Sequence, residues 1–340
     1  AGNDTQFWRV YGANLGLGSR KLQAEGGVQG KWGVTFSLDQ LKKSQTDSAA
    51  FLHGGLGTST LTTTPGAFAN AAAVPPARLQ PFEIKQGRDV YRMGLNGELA
   101  NGWAYKVSFR EDQSDGTRLT GLYQLRAMVV PYPIDERTRQ IEATLSYATK
   151  VAQLQLGYTY SKFDNSLHQF DVQNPFSATA PVPSAIPTLR MSLAPSNDFH
   201  QFNANGGYNI SKVSRLTGKF SYGIARQNEN FLAYSANGAA ANLNLLPRSS
   251  LDGKVINTLL DFALTTKPID KMNLKLGYQY RDNDNRTPIA NFRYANRDDP
   301  AINAVNSSRD RYNAPVSTTE QRVLAEADYQ IADRTTLRAG

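Results

Sequence analysis

The chain has 340 residues and a formal charge of 37 − 29 = +8, with 40% hydrophobic and 10% aromatic residues. It contains no Cys, which excludes disulfides, Cys-ligated zinc and covalent c-type haem attachment on this chain. No run approaches the roughly 18 consecutive apolar residues of a membrane helix, and the apolar and aromatic content is too high for a disordered chain.

The chain opens Ala1-Gly2-Asn3-Asp4, without the basic and apolar regions of an export signal. Lys21, Lys42 and Lys43 follow; they could face anionic lipopolysaccharide or a partner, and too few aromatics interleave with them for a nucleic-acid site. Leu41–Gln86 reads as a long loop. Within it, Gly54-Gly55-Leu56-Gly57-Thr58 lacks the Lys-Ser/Thr of a phosphate loop, and Thr58–Pro81 is Ala/Thr/Pro-rich and irregular. That stretch, or the stiff loop holding Pro181, Pro183 and Pro187, could fold inward as a plug or outward as a docking surface.

From Ala100-Asn101-Gly102 onward the signal has period two. In Trp103–Arg110, Trp103, Tyr105, Val107 and Phe109 alternate with Ala104, Lys106, Ser108 and Arg110. In Gln153–Tyr160, Leu154, Leu156, Tyr158 and Tyr160 alternate with Gln153, Gln155, Gly157 and Thr159. In Arg215–Tyr222, Leu216, Gly218, Phe220 and Tyr222 oppose Arg215, Thr217, Lys219 and Ser221. In Met272–Arg281, Met272, Leu274, Leu276, Tyr278 and Tyr280 oppose Asn273, Lys275, Gly277, Gln279 and Arg281. Helical periodicity is nearly absent. Short connections fall at Ala100–Gly102, Ala148–Val151, Ser211–Ser214, Lys267–Asp270 and Ile331–Arg334. Long ones fall at Leu41–Gln86, Asp164–Asp198, Asn228–Lys254 and Asp282–Ser317.

Strands of about 9–11 residues suit a tilted crossing of the hydrocarbon layer. In lipid every backbone polar group must pair, so strands cross only as a closed barrel. Its outer face meets lipid and its inner face meets water or a plug, with short turns on one side and long loops on the other. The predicted fold class is therefore all-β: a large antiparallel up-and-down transmembrane β-barrel with short periplasmic turns and long extracellular loops. A soluble sandwich or adhesin would bury the same apolar face in a core. About twelve or thirteen strands are expected. Thr335–Gly340 reads as a strand cut short, so residues 1–340 are expected to form one barrel segment truncated at the C-terminus, with truncation at the N-terminus also open.

Several stretches resemble the MtrB/PioB family of outer-membrane barrels. They are Phe7-Trp8-Arg9-Val10-Tyr11-Gly12-Ala13-Asn14-Leu15-Gly16 with Glu25-Gly26-Gly27 and Gln29–Gly33; the hairpin from Arg88 to Asp112, closed by Asp115-Gly116-Thr117-Arg118; Pro133-Ile134-Asp135 before a strand at Arg139–Tyr147; Ala194–Gln201; Leu246–Val255; and Tyr278–Pro288. They run in family order over most of the chain. The resemblance implies a very large barrel that sheathes a periplasmic decahaem or other multihaem c-type cytochrome in a Gram-negative outer membrane, with an outer-surface multihaem cytochrome as a further partner. It implies electron transfer for extracellular metal reduction or oxidation, haem c carried by the partner, and no enzymatic activity of the barrel. Some members carry a Cys pair near the mature N-terminus, which this sequence lacks. A diffusion porin or substrate channel is the rival reading.

On this reading the lumen candidates for partner contact are Arg92, Glu98, Lys106, Arg110, Glu142, Gln155, Arg215, Lys219, Lys275 and Arg281, with Asn96, Ser108, Gln140, Gln153 and Gln279 beside them. Basic residues outnumber acidic ones among them, which suits haem propionates or an acidic cytochrome surface. The lipid-facing candidates are Trp103, Tyr105, Leu154, Leu156, Tyr158, Phe220, Leu274 and Tyr278. His53, His168 and His200 are far apart and read as loop or rim residues rather than metal ligands or catalytic groups. Asp282-Asn283-Asp284-Asn285 has oxygen ligands at calcium-loop spacing but lacks the Gly and distal Glu of an EF-hand, and reads as a turn at a strand exit; Asp298-Asp299 lie in the same loop. No Gly-x-Ser-x-Gly elbow occurs. No catalytic, cofactor-binding or metal-binding residue is expected on this chain.

Overall fold

Alternating side chains and frequent short turns dictate antiparallel pairing between successive strands. The computed structural model, which describes residues 5–64, 67–124, 126–176, 187–293 and 310–340, has this arrangement. One 13-stranded sheet runs in strict chain order. Its members are β1 (Gln6–Ala13), β2 (Lys21–Val28), β3 (Trp32–Thr46), β4 (Ile84–Glu98), β5 (Trp103–Gln124), β6 (Arg126–Ala148), β7 (Ala152–Asn165), β8 (Asn197–Ser211), β9 (Ser214–Gln227), β10 (Gly253–Thr266), β11 (Met272–Asn285), β12 (Thr318–Ala332) and β13 (Thr335–Ala339). Every pairing is antiparallel. Among the described residues, helix is limited to 3-10 turns such as Ala71–Ala73 and Pro76–Arg78, and β1 and β13 each pair on one side only. The up-and-down β architecture agrees with the sequence expectation.

Ten of the thirteen strands are longer than the expected crossing length, while β1, β2 and β13 are shorter. β3, β4, β8 and β12 have 15 residues each, and β5 and β6 have 22 and 23. Several expected loop residues are therefore in strands. Leu41, Lys42 and Lys43 lie in β3. Asp282–Asn285 form the end of β11 and not a turn. Asp115–Arg118 do not close a hairpin; they continue β5, and Pro133–Asp135 lie within β6 opposite them.

This β5–β6 extension crosses two prolines without a register break, with Pro131 opposite Leu119 and Pro133 opposite Thr117. Positions two apart share one pair class in an antiparallel ladder, so both prolines occupy sites that need no ladder N–H. Their strand has also passed the end of β7, which last pairs at Asn165 and Glu136; prolines are tolerated on such a free edge. Gly116 sits opposite Ile134 with φ +117, where an added Cβ would strike the Lys85 carbonyl.

The largest buried cluster lies on this extension, away from the sheet's long polar and apolar stretches. Met128, Val130 and Tyr132 pack with Leu61, Phe170, Val172, Leu189 and Leu193. The partners come from a small three-stranded sheet of Thr60–Leu61, Gln169–Gln173 and Thr188–Ser192, so two distant loops fold over one hairpin. A bidentate Arg190–Asp171 pair at 2.8 and 2.7 Å joins two of its strands. The Thr58–Pro81 stretch thus contributes a strand and is not wholly irregular. Pro181, Pro183 and Asp298-Asp299 lie outside the described residues.

Candidate functional site

Cα partners in an antiparallel sheet point to the same side, so the register sorts the sheet into two faces. One row reads Trp103, Tyr147, Leu154, Gly206, Gly218, Phe262, Tyr278 and Val323 across eight strands. The next reads Tyr105, Leu145, Leu156, Ala204, Phe220, Leu260 and Tyr280. Leu274 and Tyr158 share this side, opposite Ala327 and Phe202. All eight lipid-facing candidates therefore lie on one face. Many of its apolar side chains are exposed, with Phe202 at 57% and Val323 at 79%, while Trp103, Tyr105, Tyr158 and Leu274 are half-buried. Contiguous apolar exposure on this scale marks a surface that meets lipid or another apolar partner.

The opposite face carries the polar rows. Glu98, Ala104, Ser146, Gln155, Asn205, Lys219, Asp261, Gln279 and Arg322 form one of them. Lys106, Thr144, Gly157, Asn203, Ser221, Leu259, Arg281 and Glu320 form another. Arg92 is the Cα partner of Arg110, Arg110 of Gln140, and Ser108 of Glu142. Arg215 lies opposite Thr265, and Thr265 opposite Lys275. All ten lumen candidates thus share the polar face.

That face is less one-sided in charge than the candidate set suggested. Lys275 pairs with Glu326 (3.6 Å) and Arg281 with Glu320 (3.8 Å). Arg110 and Arg88 both reach Asp112 (2.7 and 2.6 Å). Arg215 donates to Asn209 and Gln153 (2.8 and 2.9 Å), and Gln140 donates to Glu142 (2.6 Å). Asp112, Glu320 and Glu326 were missed because the first lies beyond the clean alternation and β12 shows little of it. Among the described residues, Arg92, Lys106 and Lys219 make no ion pair, although Lys219 lies opposite Asp261. Arg92 lines a broad recess with Arg9, Glu25, Thr35 and Ser37.

The three histidines do not converge. His53 Nε2 lies 3.0 Å from the Gln173 carbonyl, and burial pushes its pKa below the ordinary 6.5. His168 pairs with Glu229, which also accepts the Ser196 N–H (2.6 Å). His200 Nδ1 meets the Tyr158 hydroxyl at 2.8 Å. Asp282 accepts from the Thr319 hydroxyl (2.6 Å) and Asp284 from Arg286 (2.6 Å). Among the described residues no three His, Cys, Asp or Glu side chains are grouped to hold a metal.

The family model described as outer membrane beta-barrel porin, MtrB/PioB, matches residues 1–340. The chain is 26% identical over 332 residues to the outer membrane protein MtrB of Shewanella baltica (strain OS185), covering 95% of this chain and 45% of that protein. It therefore spans less than half the length of this curated relative. Among solved structures it is similar to the FrpB iron transporter of Neisseria meningitidis, at 10% identity and TM-score 0.49, covering 98% of this chain and 44% of that one. It is also similar to the copper transporter OprC, at 12% identity and TM-score 0.44, covering 98% and 45%.

Proposed function

The chain belongs to the MtrB/PioB family of outer-membrane β-barrels, and from that premise we propose that it forms part of the wall of a sleeve around a periplasmic multihaem c-type cytochrome. Electrons then cross the outer membrane inside the sleeve, between the periplasm and extracellular donors or acceptors such as metal minerals. A second multihaem cytochrome docks on the outer, long-loop side.

The carrying observation is the polar face. A barrel of about eight strands is already wide enough for side chains to fill its interior. A barrel that includes thirteen consecutive strands would enclose a wider space, which needs water or another protein to occupy it. The polar face holds cations at Arg92, Lys106 and Lys219 that make no ion pair among the described residues. An acidic cytochrome surface or haem propionates would satisfy them, and complementary charge fixes orientation and register.

The chain itself is unsuited to hold haem c. It has no Cys for the thioether links, and His53, His168 and His200 are engaged separately. Haem c therefore belongs to the partner and supplies the redox chemistry, while this chain positions the partner and excludes lipid. No catalytic step is assigned to it.

The test is mild detergent extraction of the full-length protein, followed by a haem stain and visible absorbance of the purified complex. Haem should co-purify. A barrel that conducts ions and carries no haem protein from native membranes would mean a diffusion pore instead.

A further inference from the structure

At the long-loop end of the apolar face the row of Cα partners changes character. The row Phe109, Ile141, Tyr160, His200, Ile224 and Ile256 is the last mainly apolar one. Two residues further along each strand the row reads Glu111, Arg139, Lys162, Asp198, Arg226 and Lys254. By the same alternation these side chains emerge on the lipid-facing side, just beyond the apolar belt.

Half of this row is neutralised internally. Arg139 pairs with Glu111 (2.9 Å) and Asp164 (3.5 Å), and Lys162 pairs with Asp164 (2.9 Å). Asp198, the Cα partner of Arg226 on its other side, has its carboxylate turned to the His200 ring at 3.5 Å and makes no ion pair with Arg226, and the adjoining Arg286 is held by Asp284 at 2.6 Å. Arg226 and Lys254 differ. They are direct Cα partners on β9 and β10, and neither makes an ion pair among the described residues. Like charges directly opposed across two strands are destabilising, and this pair stands at the edge of a lipid-facing surface.

We propose that Arg226 and Lys254 together bind a phosphate group of the lipopolysaccharide headgroup in the outer leaflet. A phosphate offers several acceptor oxygens to both cations at once, and charge-assisted hydrogen bonds of this kind are the strong ones. Beneath them on the same side Ile224 is half-buried and Ile256 is buried, so the apolar surface next to the pair is that of the half-buried Ile224 and Tyr160 in the row below. The inference rests on the outward assignment of the apolar face and on the long-loop end being external. It is independent of the cytochrome cargo.

The test uses the full-length protein in its native complex, delipidated in detergent and offered bisphosphorylated lipid A or dephosphorylated lipid A, with retention read by native mass spectrometry. The wild type should retain the bisphosphorylated lipid in preference. The Arg226→Gln/Lys254→Gln double variant should lose that preference by about tenfold, the change expected for one strong interaction. Arg286→Gln, whose guanidinium is already held, should retain lipid like the wild type. Heat-modifiable gel mobility checks that each variant is assembled, and Arg226→Lys supplies a conservative control that should keep the preference. Haem content is measured in parallel and should not change. Equal retention of the two lipids by the wild type would overturn the proposal, as would an assembled double variant that keeps the preference. Loss of haem with lipid retention unchanged would place the pair on the bore and overturn it as well.

Discussion

The indole of Trp8 on β1 lies across Gly26, its Cα partner on β2, so closely that a Cβ on Gly26 would clash with the ring. An aromatic ring laid over a glycine covers backbone that would otherwise be bare, a device that pins register near a sheet edge. Gly26→Val must therefore displace Trp8. Overpacking of this kind costs about 1–3 kcal/mol, read as a lower urea midpoint of the assembled protein. Trp8→Ala in the same chain should recover part of the loss, because the clash partner is gone. A Gly26→Val midpoint equal to wild type would contradict the contact.

Leu156 and Gln155 are neighbours in sequence on opposite faces. Leu156 lies between Leu145 and Ala204, and Gln155 between Ser146 and Asn205. Leu156→Arg puts a charge against the hydrocarbon, at a cost of about 2–4 kcal/mol near the midplane. It should reduce assembled protein in the outer membrane, measured by heat-modifiable mobility of membrane fractions. Gln155→Arg should assemble normally. Equal yields would refute the assignment of faces.

The polar face allows stability and partner binding to be separated. Arg92→Glu converts the opposed Arg92–Arg110 pair into an attractive one, worth about 0.2–1 kcal/mol. The barrel should become no less stable in urea, while retention of the haem protein should fall because a free cation on the bore is lost. A parallel fall of both quantities would mean that Arg92 acts through folding alone.

Phe170 is fully buried in the cluster over the β5–β6 extension and packs edge-on against Tyr132 at 5.6 Å. Phe170→Ala should cost that cluster about 3–5 kcal/mol. Because the cluster lies beyond the apolar belt, the expected result is faster proteolysis within residues 166–193 with β7 to β11 still protected. Loss of the whole barrel would show that the loop cap and the wall fold as one unit.

His53 gives the cap a pH dependence. It is only 4% exposed, and burial lowers its pKa from 6.5. Below about pH 6.5 the unfolded loop takes up a proton that the folded loop refuses. The cap is thus fully stable above that value and weakens as pH falls toward the lowered pKa. Amide exchange at Thr60–Leu61 and Gln169–Gln173, corrected for intrinsic rates, should speed up between about pH 7.5 and about pH 5.5. His53→Gln should flatten this dependence.

The alternation of Leu154, Leu156, Tyr158 and Tyr160 with Gln153, Gln155 and Thr159 was enough to fix the strand, its two faces and its place in an antiparallel sheet. A period of two leaves a strand few other ways to satisfy its side chains. The short turns added the up-and-down order, and the ordered motifs added the family. The β5–β6 extension was not legible, because Pro131 and Pro133 argue against a strand unless their N–H sites happen to need no partner. The union of Leu61 with Phe170 and Leu189 was likewise beyond the sequence. These residues are more than a hundred positions apart, and no local pattern records that two loops fold onto the same hairpin. That Arg226 and Lys254 make no ion pair among the described residues was settled the same way. Which charges meet across strands depends on register between segments, and register is a property of the assembled sheet.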